Sequence, residues 1–261
     1  MKHLELCQVN FSYPSGFSLD GINLEINKGE ILGVLGPNGS GKSTLVQLLS
    51  RLYSPTTGSI RLNGIDLSEY TTREFSRQVA VIPADNYFTF PFSVSEVVQM
   101  GRYPYLGRLQ RLRGRDLEWT LRARKLTNIS ALWDRSISAL SSGERQRVLI
   151  ARALAQNPSV LIFDEPSSHL DINHQIEIFR MLKKFSEKYG TTILVVLHDL
   201  TLADAFCEEV AILKSGKLVK SGPPKNVITT KILRSVFQAD VQLHRGPDGA
   251  ASLNFQLDIL D

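Results

Sequence analysis

Gly36-Pro37-Asn38-Gly39-Ser40-Gly41-Lys42-Ser43-Thr44 matches G-x-x-x-x-G-K-[ST] in full, with Gly36, Gly41, Lys42 and Ser43 at the required places. Ahead of it, Ile31-Leu32-Gly33-Val34-Leu35 is a short apolar run of the kind expected for a buried parallel strand. Behind it, Leu45, Leu48, Leu49 and Leu52 recur at helical spacing. A strand, a Gly-rich turn and a helix N-terminus together make an anion site. Glycines let backbone N–H groups converge on phosphate, and the helix dipole adds positive potential at that end. In this pattern Lys42 reaches the β- and γ-phosphates, and the Ser43 hydroxyl binds Mg²⁺. A Gly-rich loop arising by chance would have no need of the strand and helix around it. The stretch predicts a site for a nucleoside triphosphate.

Size and composition bound the rest. A chain of 261 residues suits one large α/β domain, or a core with an inserted subdomain. Its 43% hydrophobic content is ordinary for a globular protein, and a net charge of +4 does not by itself argue for nucleic acid. Cys7 and Cys207 form no zinc-type cluster, which fits reduced cysteines in a cytoplasmic protein. Leu4-Glu5-Leu6 already alternates like a strand, so no apolar leader is expected at the start. No apolar run approaches the ~20 residues that cross a bilayer. Membrane work is expected to pass through a partner.

Along the chain, Ile22, Leu24 and Ile26 alternate before an Asn27-Lys28-Gly29 turn, and Ile60 and Leu62 alternate before Asn63-Gly64. Tyr13 suits either of two roles, stacking on a purine or packing in a small strand core. Val79-Ala80-Val81-Ile82 is a further strand, stopped by Pro83. From Asp85 to about Asn157 the texture changes. Phe88, Phe90, Pro91 and Phe92 make an aromatic loop, followed by helical patches at Ser93–Met100 and Leu117–Leu126. Arg102, Arg108, Arg111, Arg113 and Arg115 lie between the patches. They read as a solvated surface, or more sharply as a contact with a partner protein or anionic headgroups. Nucleic acid is the weakest option, because the aromatics of that loop are not interleaved with the arginines as a stacking groove would want.

Ser141-Ser142-Gly143-Glu144 leads into the helical run Arg145–Ala155 and, taken alone, is a capped helix start. Val160-Leu161-Ile162-Phe163-Asp164-Glu165 is an apolar strand ending in two carboxylates, where α/β sheets place their chemistry. Asp164 suits a Mg²⁺ shell, and Glu165 is placed to act on an attacking water. The strand Thr191–Leu197 runs into His198-Asp199, which sets His198 at another carboxyl end.

This ordered set, with Ser168-His169-Leu170-Asp171, resembles the nucleotide-binding subunit of an ATP-binding cassette (ABC) transporter over nearly the whole chain. The resemblance implies a P-loop NTPase (ABC ATPase) core of α/β class, with an antiparallel β subdomain and an inserted α-helical subdomain. The matching boundaries are 1–84 and 158–225 for the core with its β subdomain, 85–157 for the helical insertion, and 226–261 for a C-terminal helix and hairpin. It further implies that Tyr13 stacks on adenine and that Gly36–Thr44 is the Walker A loop. Ser141, Ser142, Gly143 and Glu144 match the signature that meets ATP held by the opposite subunit, with Ser142 where a second glycine is usual. Asp164 matches the Walker B aspartate and Glu165 the catalytic glutamate. Asp171 matches the residue closing the dimer loop, and His198 the switch histidine.

Phe90-Pro91-Phe92-Ser93-Val94, Glu96-Val97-Val98 and Gly101-Arg102-Tyr103-Pro104 are similar to importer ATPases for iron-siderophores, haem and vitamin B12. The tail agrees, with Val227–Phe237 reading as a short helix and Val241–Leu257 as a hairpin around Gly246-Pro247-Asp248-Gly249. The glutamine usual after the Pro83 strand end is Ala84 here. The resemblance implies ATP and Mg²⁺ as ligands and a homodimer closing over two ATP molecules. It also implies polytopic permease subunits, a substrate-binding protein acting through them, and a peripheral place on the cytoplasmic face of the inner membrane. Nucleic acid is not an expected partner. Importer ATPases for other small solutes or metals, and soluble ABC-type assembly ATPases, remain alternatives.

Overall fold

The computed structural model describes residues 2–84, 88, 90–107, 110–165, 171–238, 241–246 and 251–255. The chain opens with β1 (Lys2–Ser12), β2 (Ser18–Asn27), β3 (Ile31–Leu35), α1 (Lys42–Leu49), β4 (Thr57–Leu62) and β5 (Ile65–Asp66). Then come α2 (Thr72–Gln78), β6 (Val79–Ile82), α3 (Val94–Met100), α4 (Arg115–Leu126), α5 (Ser142–Ala155), β7 (Val160–Asp164), α6 (Ile172–Tyr189) and β8 (Thr192–Val196). The last part holds α7 (Leu200–Phe206), β9 (Glu209–Lys214), β10 (Lys217–Gly222), α8 (Pro224–Val227), α9 (Thr230–Ile232), β11 (Val241–Arg245) and β12 (Ala251–Phe255). These elements form two compact units, Met1–Gly64 with Val195–Asp261, and Ile65–Leu194. The class is α/β, with antiparallel and parallel pairing both present.

In the first unit β1 pairs antiparallel with β2 on one side and β4 on the other. Leu4, Leu6, Val9, Leu19, Ile22, Leu24, Ile26, Ile60 and Leu62 are all buried; the period-2 alternation holds within each run and skips a residue between Leu6 and Val9, where the β1–β2 register shifts. β3 lies parallel to β9, which pairs antiparallel with β10. All five residues of β3 are buried, which explains its unbroken apolar run. The Glu208 carboxylate accepts from the Ile31 N–H at 2.9 Å while the Glu208 N–H donates to the Ile31 carbonyl at 3.0 Å. That exchange pins the entry of the strand leading to the Gly-rich loop.

In the second unit β6 and β7 run parallel in register from Val79↔Val160 to Ile82↔Phe163. Helix α5 buries Val148, Leu149, Ile150, Ala151, Ala153, Leu154 and Ala155, and α6 buries Ile178, Phe179, Leu182 and Phe185. Gln156 ties the end of α5 to the start of β6, its Nε2 donating to the carbonyls of Ser76 and Val79 at 2.6 and 2.7 Å. β8 carries the chain from one unit to the other and is buried throughout.

The tail departs from the single helix expected over Val227–Phe237. α8 stops at Val227, and Thr229 adopts an extended conformation (φ −129°, ψ 152°) with its hydroxyl accepting from the Ile232 N–H. A new N-cap thus restarts the helix, which ends in a wide π-type turn over Leu233–Phe237. The β11–β12 pair is antiparallel, as a hairpin requires, and Pro247, Asp248 and Gly249 of its expected turn lie outside the described residues.

Candidate functional site

The Gly-rich loop follows β3 directly and ends in α1, all within the first unit. A Cβ at Gly36 would stand 2.3 Å from the Leu213 carbonyl oxygen and 2.6 Å from Ser40 Oγ, so no side chain fits there. Gly41 has φ +106°, where only glycine is unstrained, and a Cβ there would meet Leu19 Cδ2 at 2.5 Å. Gly41 is the N-cap of α1 and gives it no side-chain cap, leaving the first-turn N–H groups for something outside the helix. Pro37, Asn38 and Gly39 form the partly exposed rim, Ser40 and Thr44 are buried, and Ser43 is exposed.

Lys42 is buried, and its Nζ donates to the carbonyls of Gly36 at 2.9 Å and Pro37 at 3.1 Å. Among the described residues the buried Ser40 hydroxyl has no hydrogen-bond partner. An orphaned hydroxyl, a buried ammonium resting on loop carbonyls and an uncapped helix start together fit an anion with several acceptor oxygens.

Tyr13 lies in an aromatic cluster of the same unit. Its ring meets Phe11 edge-on at 4.8 Å and Tyr53 edge-on at 5.5 Å, and its hydroxyl donates to Gln47 Oε1 on α1. Both roles left open by the sequence therefore keep a footing. The ring packs in a small cluster, remains half-buried, and is tied to the helix that carries Lys42. Gln47 was not singled out in the sequence. Its signal was being the one polar residue in Leu45-Val46-Gln47-Leu48-Leu49.

In the second unit Ser141 caps α5 through a reciprocal capping box. The Glu144 N–H donates to Ser141 Oγ at 3.3 Å, while the Glu144 carboxylate accepts from the Ser141 N–H and hydroxyl, each at 2.9 Å. Donation from the Ser141 backbone, then its hydroxyl, holds the Glu144 carboxyl below the usual carboxylate range. Ser142 and Gly143 form the first turn beyond the cap.

β7 delivers Asp164 at its last position and Glu165 just beyond. Glu165 has φ +53°, the left-handed region that costs a side-chain-bearing residue on the order of 1 kcal/mol. Asp171 caps α6, accepting from the His174 N–H at 2.9 Å and lying 2.8 Å from His174 Nδ1. The His174 backbone donation, then its ring, holds the Asp171 carboxyl low. Ser168, His169 and Leu170 lie outside the described residues. In the first unit His198 is exposed just past β8, and Asp199 beside it caps α7.

The arginine stretch corrects one expectation. Arg102 is 2% exposed and not on a solvated face. Its guanidinium pairs with Asp116 at 3.0 Å, donates to the carbonyls of Ala155 and Gln156, and stacks on Tyr105 at 3.8 Å. Burial with full hydrogen bonding outweighed the solvation that charge alone suggested. Arg111, Arg113 and Arg115 are exposed, and Arg108 lies outside the described residues.

The fold and the Gly-rich loop define an α/β protein with a phosphate-type loop between strand and helix. A family model described as "ABC transporter" matches residues 19–168, and the chain belongs to that family. The petrobactin import ATP-binding protein FpuD of Bacillus anthracis is 37% identical over 94% of this chain and 90% of its own length. An inward-facing metal-chelate type ABC transporter superposes with a TM-score of 0.86 at 27% identity, covering 99% of both chains. The dimeric post-hydrolysis structure of an ATP-binding cassette bound to ADP and Pi gives a TM-score of 0.71 at 28% identity, over 85% of this chain and 98% of that one. Among the described residues, no helix is long and apolar enough to cross a membrane.

Proposed function

We propose that this chain is the ATP-hydrolysing subunit of an importer for metal-chelate cargo such as iron-siderophores, haem or vitamin B12. The observation that carries the reading is the loop itself, where the Lys42 ammonium and the orphaned Ser40 hydroxyl sit beneath an uncapped α1. Family membership and the importer relatives support it.

In this reading the loop N–H groups and Lys42 hold the triphosphate, and the Tyr13 ring packs on the adenine. Ser43 and Asp164 supply hard oxygen ligands for Mg²⁺, which, when bound, neutralises charge on the β- and γ-phosphates. Glu165 orients the attacking water and takes its proton, and His198 donates a hydrogen bond toward the γ-phosphate. Ser141 to Glu144 and Asp171 serve a second copy of the chain, so that two chains close over two nucleotides. The dimeric ADP-bound neighbour supports that arrangement. The helical insertion 85–157, with exposed Phe90, faces membrane subunits, and the chain sits peripherally at the membrane beside them. A substrate-binding protein delivers cargo on the far side.

The test is purification of the native complex from solubilised membranes. Co-purification with a polytopic membrane protein and cargo-stimulated ATP hydrolysis are expected. A free ATPase with no membrane partner would favour a soluble assembly ATPase.

A further inference from the structure

We propose that Gln47 is a positioning residue for nucleotide recognition, its side-chain oxygen holding the Tyr13 ring ready for the base. The proposal rests on the reading of Tyr13 as the residue that packs on adenine.

Of the residues in α1, only Ser43 and Gln47 are not buried. Spaced i and i+4, they lie on the same face of the helix. Ser43 belongs to the Gly-rich loop, so Gln47 sits one turn beyond the phosphate end of the site. There its Oε1 accepts from the Tyr13 hydroxyl.

Tyr13 has use for such a tie. It stands just past the end of β1, at the base of a tight reversal whose Pro14, Ser15 and Gly16 are exposed. Its N–H donates to the Phe17 carbonyl at 2.9 Å, and its own carbonyl accepts from the Gly16 N–H at 3.0 Å. Those bonds fix the backbone and leave the side-chain torsions of the ring free. The bond to Gln47 restrains them from the far end of the ring, with the phenolic hydroxyl as the handle.

Gln47 also reaches the cluster through its backbone. Its carbonyl accepts from the Leu52 N–H at 2.9 Å, the Tyr53 N–H at 3.3 Å and the Ser50 hydroxyl at 3.0 Å, closing the end of α1. The Tyr53 ring placed in this way meets Tyr13 edge-on at 5.5 Å and lies 5.2 Å from Phe11. One residue thus fixes the helix end, a ring that packs on Tyr13 and the Tyr13 hydroxyl itself. A ring already held in place loses less freedom when a base packs on it, and that saving appears as affinity. Helix α1 then serves both ends of the nucleotide, with Lys42 and Ser43 for the phosphates and Gln47 for the ring beside the base.

The experiment measures Kd of the purified full chain for ATP and for inorganic tripolyphosphate, which has the phosphates without the base, each with Mg²⁺. Gln47→Leu keeps the helix propensity and removes the acceptor. It should raise the ATP Kd about threefold to tenfold, the effect of one hydrogen bond, and leave the tripolyphosphate Kd within about twofold. Tyr13→Phe removes the same bond from the other side. It should give the same loss, and the double variant should be no worse than either single one. Gln47→Glu keeps an acceptor, and any effect of its charge falls on both ligands, so the ratio of the two Kd values should return to that of wild type. An equal loss for ATP and tripolyphosphate makes Gln47 a support of α1 alone and overturns the proposal, as do additive losses in the double variant. Tyr13→Ala separates the underlying reading. Weaker ATP binding there, beside unchanged binding in Gln47→Leu, overturns the role of Gln47 and leaves the stacking reading standing. Unchanged ATP affinity in Tyr13→Ala overturns the stacking reading, and the proposal falls with it.

Discussion

Lys42 Nζ donates to the carbonyl oxygen of Gly36 at 2.9 Å, closing the Gly-rich loop on its own lysine. The ammonium is thus held inside the loop, where an incoming phosphate can take over from the two carbonyls. Lys42→Ala removes one charge-assisted contact of about 1.5–3 kcal/mol, so ATP affinity should fall about tenfold to a hundredfold. A titration with a fluorescent ATP analogue reads it, and unchanged affinity would count against the phosphate assignment.

Arg102 is expected to be a stability residue. Arg102→Met strands Asp116, whose side chain is 15% exposed, and should lower unfolding free energy by about 3–5 kcal/mol. Arg122→Met, at an exposed pair with Glu118, should change it by less than ~1 kcal/mol. Urea midpoints of the two variants check the contrast, and equal midpoints would contradict it.

His3 is buried in β1, and burial first, then the nearby Lys28 charge, lowers its pKa below the ordinary 6.5. A depressed folded pKa means the unfolded chain binds the proton more readily. Stability contributed by neutral His3 is therefore complete above pH 6.5 and is lost as pH falls from there through the folded value. His3→Gln should flatten that part of the stability–pH curve. An unchanged slope below pH 6.5 would show that other groups set it.

Ala84 is exposed at the end of β6 and offers neither donor nor acceptor where a glutamine is usual. Asp85 and Asn86, which follow it, lie outside the described residues. We expect slow basal hydrolysis, with Ala84→Gln raising either the rate or its stimulation by cargo-loaded permease. Identical rates and stimulation in the assembled transporter would leave Ala84 neutral.

Much of this was legible because backbone chemistry writes itself into residue type. Gly36 and Gly41 are glycines for reasons of space and φ, β3 is apolar from end to end, and β7 is apolar up to Asp164. Ser141 and Glu144 announce their capping box by spacing alone. What stayed hidden depends on long-range pairing. Arg102 finds Asp116 fourteen residues on and carbonyls more than fifty residues on, and no local pattern records that. The break at Thr229 was missed because apolar spacing continues across it, while a hydroxyl cap restarts the helix.

The account turns on Glu165, the strained carboxylate beyond β7, as the base that acts on water. The most direct test compares wild type and Glu165→Gln in the assembled transporter, measuring ATP binding and steady-state hydrolysis on the same samples. The account predicts ATP affinity within about threefold of wild type and a hydrolysis rate down by about 10²–10⁴-fold, as loss of a general base entails. Near-normal hydrolysis by Glu165→Gln would contradict it.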